Sequence, residues 1–119
     1  MNENEGSKRY DLEGRTFAFA KGVREFVKIL NKTIANIEDA RQLVRASGSV
    51  GANYIEANEA LSKKDFALRI KICRKEAKES HYFLRLLDAE AKLTSERNAL
   101  VQEAQELVNI FGAIVRKSE

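Results

Sequence analysis

Phe66, Ile70, Cys73, Ala77, Ser80, Leu84, Leu87 and Ala91 alternate steps of four and three. Each pair of steps comes close to two helical turns, so all eight share one face of a helix about 25 residues long. Such a helix cannot stand alone in water, and its apolar seam must be buried against other helices. The same period recurs elsewhere. Phe19, Val23, Phe26, Val27 and Leu30 repeat at three and four, as do Leu100, Ala104, Leu107, Phe111 and Ile114. No segment alternates with a period of two. The 119 residues include no proline, which costs roughly 3 kcal/mol inside a helix. These features predict an all-α chain of long, uninterrupted helices.

The expected boundaries follow from capping chemistry. Residues 1–9 read as a polar, flexible tail, and residues 10–119 as one domain. Asp11 is a candidate N-cap for the first helix, and Asn31-Lys32-Thr33 a break after it. Asn36 is a candidate cap for the second, with Glu38 and Asp39 in its first turn. Ser62 opens the third, with Asp65 at the capping-box position. Thr94 or Ser95 opens the fourth. Short connections make neighbouring helices antiparallel, giving an up-down four-helix bundle.

The stretch RASGSVGANYIEANEA, residues 45–60, tests that reading because two glycines interrupt it. Each costs a helix about 0.8–1 kcal/mol relative to alanine. Yet Ile37, Ala40, Leu43, Ser47, Val50, Tyr54, Ala57 and Leu61 keep their phase through Gly48 and Gly51. A turn would reset the period. A continuous second helix is expected, its small residues admitting a neighbouring backbone.

Charge is unevenly distributed. The net charge is +3. Residues 61–93 hold nine Lys/Arg against five Asp/Glu, whereas residues 33–60 hold two against four. Lys64, Lys71, Lys78, Arg85 and Lys92 recur every seven residues. A seven-residue step drifts only about 20° per repeat, so these cations line one helix face for about 42 Å. Lys75 and Arg74 flank the line, and Tyr82 lies near it. The line faces away from the apolar seam. Cations spaced along a rod suit a polyanion, and Lys64, Lys71, Lys75, Lys78, Arg85 and Lys92 are candidate phosphate contacts. The competing reading is an ordinary solvated face, with Asp65, Glu76, Glu79, Asp88 and Glu90 partly neutralising it. A second apolar stripe, Ile72, Leu86 and Leu93, lies away from the seam, and Val101, Val108 and Val115 form another at seven-residue spacing. Helices apolar on two sides pack against two things, so these six are candidates for an interface between copies of the chain.

Catalytic chemistry is not indicated. His81 is the only histidine and Cys73 the only cysteine. They are about two turns apart, and Cys73 falls on the core seam. Neither a zinc set nor a carboxylate-histidine metal centre can be assembled from them. GSVG lacks the lysine and spacing of a phosphate-binding loop. No cofactor and no enzyme activity are expected. The polar N-terminus carries no secretory pattern and no run of about 18 apolar residues occurs, so a cytoplasmic protein is expected.

Residues 41–93 carry a pattern: Arg45, Ser49, Asn53 and Glu56, then Ser62, Phe66 and Glu79. In this the chain resembles the four helix bundle protein family, also called the S23 or 23S rRNA intervening-sequence protein family. It departs where relatives commonly have Ser-x-Pro and this chain has Ser49-Val50-Gly51. The resemblance implies a small cytoplasmic bacterial protein whose bundle assembles as a ring, typically a homopentamer. A related branch, the accessory protein of diversity-generating retroelements, binds a reverse transcriptase and nucleic acid. Two functions are therefore expected in competition. One is an oligomer that associates with RNA or DNA backbone. The other is a protein-interaction scaffold, for a reverse transcriptase or a neighbouring gene product. Within the pattern, Arg45, Ser49, Asn53, Glu56 and Glu79 are expected to form a polar network fixing the register of helices two and three; a ligand-binding role is the alternative.

Overall fold

Side-chain oxygens set two of the helix starts. Thr33 accepts from the amide of Asn36 at 3.1 Å, and Ser62 accepts from the amide of Asp65 at 3.0 Å. A computed structural model of the protein describes residues 3–118, and side chains from Leu12 onward. Its elements are α1 (Glu3–Lys28), α2 (Ile34–Asn58), α3 (Lys63–Leu86), a single 3₁₀ turn (Ala91–Leu93) and α4 (Thr94–Ser118). There is no strand among the described residues. Residues 1 and 2 of the expected tail lie outside the described residues. From Glu3 the chain is helical, so Asp11 lies inside α1 and does not cap it.

The helices pack side by side, each antiparallel to its sequence neighbour. Thr16 of α1 meets Gly51 of α2, while Arg24, two turns on, reaches back to the carbonyl of Val44. Arg45 of α2 reaches Glu79 of α3, and Asn53 meets Arg69. Arg15 of α1 reaches Glu103 of α4, closing the cycle. The shared core takes Phe19, Val23 and Phe26 from α1, Leu43, Val50 and Tyr54 from α2, Ile70, Cys73, Ala77 and Leu84 from α3, and Ala104, Leu107 and Phe111 from α4. Tyr54 and Phe111 cross it with ring centroids 5.9 Å apart. Each large side chain buried this way contributes about 1.5–3 kcal/mol. Among the described residues no helix is long and apolar enough to cross a membrane.

α2 runs unbroken through both glycines. A Cβ on Gly51 would sit 3.0 Å from Thr16 Oγ1 and 3.3 Å from Thr16 Cβ, so α1 lies directly against this glycine. Asn36 is the third residue of α2, not its cap. It is buried, and its amide joins two connections. It donates to the carbonyls of Asn31 and Asp88 and accepts from the amide of Asp88.

That clamp explains where α3 stops. Leu87 is extended, with ψ of 136°. Its carbonyl accepts from Arg97, and Asp88 is held by Asn36. Leu87 is still buried, but Ala91 is exposed in the 3₁₀ turn, so the seam ends four residues sooner than its spacing suggests.

Candidate nucleic-acid interface

Lys64, Lys71, Lys75, Lys78 and Arg85 all lie on α3 and all are exposed. From Lys64 to Arg85 the line spans about 32 Å at 1.5 Å per residue. Lys92 does not continue it. The chain has left α3 by then, and Lys92 stands in the 3₁₀ turn, exposed but off the helical face. Lys71, Arg74, Lys75, Lys78 and Glu79 line a surface depression.

The acids on the same helices point elsewhere. Beyond their first turns, α3 and α4 carry four: Glu76, Glu79, Glu103 and Glu106. Glu79 lies 2.7 Å and Glu76 3.3 Å from Arg45 of α2. Glu103 and Glu106 lie 2.7 and 2.6 Å from Arg15 of α1. All four acids are therefore drawn to the α2 or α1 edge. Glu76 and Glu79, two of the acids expected to offset the line, pair across helices with Arg45. Among the described residues Arg74, Lys75, Lys78, Arg85 and Arg116 form no ion pair.

The pairings also shift protonation. The bond from Arg45 to Glu76 is the largest influence raising the Arg45 pKa, with Glu79 adding to it. Arg15 is likewise held more firmly protonated, chiefly by its hydrogen bond to Glu103, against a smaller opposing effect of burial. The Gln102 amide, and then Arg15, pull the Glu106 carboxyl below its ordinary value. Two arginines of α1 are engaged within the bundle and do not add to the cationic line. Arg15 is committed to its two carboxylates, and Arg24 donates to the carbonyls of Ala20 and Val44.

The polar network between α2 and α3 exists with altered membership. Arg45 and Glu79 pair as expected. Asn53 donates to the Ser49 carbonyl at 2.9 Å and accepts from Arg69 at 3.1 Å. The Glu56 side chain is exposed and has no bonding partner among the described residues. Glu76 and Arg69 take part instead. Glu76 sits one turn before Glu79 on the same face, a spacing visible in the sequence.

The six interface candidates divide. Leu93 (6% exposed) and Val115 (6%) are corrections, since both pack into the chain's own core. The 3₁₀ turn points Leu93 inward. The heptad drift rotates the valine stripe toward the core, leaving Val101 and Val108 half-buried but Val115 enclosed. Ile72 is half-buried, and Leu86 is 48% exposed. Leu68, 55% exposed, was missed although it lies four residues before Ile72.

Cys73 is fully buried, and desolvation pushes its thiol up to about 12 despite the opposing charge of Arg69. A thiol held that firmly is not a nucleophile. Burial, and then Arg85, lowers the His81 pKa. No group of three or more His, Cys, Asp or Glu among the described residues is placed to hold a metal.

A family model described as 23S rRNA-intervening sequence protein matches residues 8–113. The chain belongs to that family. A solved structure from Bacteroides thetaiotaomicron VPI-5482, described as a protein with unknown function from the S23 ribosomal protein family, superimposes with a TM-score of 0.71. It is 24% identical, and the match covers 87% of this chain and 96% of that one. At that identity the likeness speaks for the four-helix fold alone. No curated protein matches the chain.

Proposed function

We propose that this member of the family is a non-enzymatic, self-associating protein that binds the phosphate backbone of RNA or DNA through the exposed cations of α3. The observation that carries the reading is the sorting of charge. The four acids beyond the first turns of α3 and α4 are turned to Arg45 and Arg15, and the line from Lys64 to Arg85 stays exposed. Phosphate contacts position a protein without reading bases, so little sequence preference is expected.

The test is binding to structured RNA and duplex DNA over a salt series. Each lost phosphate contact lowers the slope of log affinity against log salt by about one unit. A Lys64→Gln, Lys71→Gln, Lys78→Gln triple variant keeps good helix formers at exposed positions. It should stay folded while losing affinity and up to about three units of slope. Equal binding with an unchanged slope makes the line a solvated face. Absence of wild-type binding at about 50 mM salt transfers the function to the scaffold reading. Phe17, 67% exposed on α1, and Ile55, 46% exposed on α2, are the apolar side chains a protein partner would cover there.

Self-association places Ile72, Leu86 and Leu68 between protomers, in a closed ring of five if the family resemblance extends to assembly. Sedimentation at micromolar concentration should show a closed oligomer, and Leu86→Glu should shift it toward monomer, because an unpaired charge in an interface is costly. A stable wild-type monomer rules the assembly out.

A further inference from the structure

Two arginines meet over one glycine on the α3–α4 side of the bundle. A Cβ built on Gly112 would lie 3.5 Å from Arg116 Nη1 and 3.7 Å from Arg74 Nε. The two guanidinium groups, Arg74 from α3 and Arg116 from α4, therefore share one small hollow. Both arginines are exposed, while Gly112 beneath them is buried. Neither makes a hydrogen bond or ion pair with any described residue. Every other arginine that meets a neighbouring helix here has an acceptor: Arg15 has Glu103, Arg24 Val44, Arg45 Glu79 and Arg69 Asn53. Two like charges side by side without an acceptor repel, and an anion between them removes the repulsion. Guanidinium groups present planar forks suited to phosphate oxygens. Arg74 also lies one turn from both Lys71 and Lys78, so the hollow adjoins the cationic line.

We propose that Arg74 and Arg116 form a clamp for a single phosphate group, which in the reading above is one phosphodiester of the bound backbone. The clamp rests on that reading for its natural ligand but not for its chemistry. Gly112 leaves the floor open, and the neighbouring cations continue the contact along the strand.

Inorganic phosphate is the direct probe, followed through the Nε–H signals of the arginines by nitrogen-15 NMR. Arg74 and Arg116 should move together on one saturation curve, while Arg15, already held by Glu103, stays in place. Separate curves, or no saturable shift, overturn the clamp. Duplex RNA supplies the second arm. Arg74→Gln and Arg116→Gln should each weaken binding roughly tenfold or more. The double variant should lose little beyond either single change and lower the salt slope by about one unit, since only one phosphate is released. Arg74→Lys with Arg116→Lys keeps both charges, so the slope should hold while affinity falls. Additive losses with a slope change of about two mean two separate contacts and overturn the proposal. Unchanged RNA affinity in the glutamine variants overturns it while leaving the α3 line standing. Saturable phosphate binding without any nucleic-acid binding keeps the clamp and removes the nucleic-acid reading. Both side chains are exposed and bonded to no described residue, so a thermal melt matching wild type confirms that the variants remain folded.

Discussion

Gly51→Leu tests how closely α1 is seated on α2. On helix propensity alone the change should stabilise, by about 0.8–1 kcal/mol. The structure opposes it. The first added carbon would lie 3.0 Å from Thr16 Oγ1 and 3.3 Å from Thr16 Cβ, both tighter than ordinary van der Waals contact. Thr16 cannot swing aside cheaply. It is 1% exposed, β-branched, and its hydroxyl donates to the Glu13 carbonyl at 3.0 Å. The remaining three carbons of leucine then force α1 outward. Overpacking of this kind costs typically 1–3 kcal/mol, which leaves a net loss of up to about 2 kcal/mol after the propensity gain. Urea unfolding followed by far-UV circular dichroism, at one fixed protein concentration, reads it. A double-mutant cycle of Gly51→Ala with Thr16→Ala identifies the cause. Removing the threonine hydroxyl and methyl should release the propensity gain at position 51, with a coupling of at least about 0.5 kcal/mol. Gly48 provides the contrast. Its Cβ would meet only the Arg24 guanidinium, at 3.1 Å from Nη2, so Gly48→Ala displaces at most the bond from that group to the Val44 carbonyl and should lose less stability than Gly51→Leu. If Gly51→Leu is more stable than wild type, or the cycle is additive, close approach at Gly51 is refuted.

Asn36→Ala removes three hydrogen bonds that join the α1–α2 and α3–α4 connections. It should cost about 2–3 kcal/mol by urea unfolding, with faster hydrogen exchange at the Asp88 amide; wild-type stability would mean the connections are held by something else. Cys73 makes stability fall in alkali. Its folded pKa, about 12, lies above the ordinary thiol value of 9.0, so the folded state keeps its proton longer than the unfolded chain. The contribution is complete below pH 9 and is lost as pH rises from 9 toward 12, at up to about 1.4 kcal/mol per pH unit. The difference in stability between wild type and Cys73→Ala should narrow over that window, and a constant difference refutes the assignment.

What the sequence made legible was whatever repeats within one helix. The α3 seam, its Ser62 cap and the unbroken α2 all depend on residues three to seven apart, where helical geometry dictates who shares a face. The Arg45–Glu79 pairing came through because the family pattern holds those positions. What stayed hidden depends on partners far away in sequence. Nothing near Leu87 announces the end of α3, because the side chain that holds Asp88 belongs to Asn36. Asn36 itself looked like a cap, since an asparagine before acidic residues fits that role equally well. Lys92 and Leu93 were misplaced for the same reason, as the periodic pattern extends past a helix that a distant clamp has ended. The convergence of Arg74 and Arg116 has no sequence signal, because it depends on which turn of α4 lies beside which turn of α3.

The ion pairs of this bundle matter more for where they leave charge than for how much they stabilise. Arg45 is 50% exposed and Glu79 36%, so that pair contributes about 0–1 kcal/mol. Glu76 differs, since its side chain is only 8% exposed and would be left unpaired without Arg45. Such modest terms do not explain why all four acids beyond the first turns of α3 and α4 meet arginines from α2 or α1. Register does explain it. Each arginine reaches two carboxylates one turn apart, so a slip of one helix past the other would break both contacts together. The sorting has an electrostatic consequence that register alone does not require. Carboxylates bonded at the α2 and α1 edges form no ion pair with Arg74, Lys78, Arg85 or Arg116 among the described residues. The bonds that fix the bundle's register therefore also draw those four carboxylates away from these four cations.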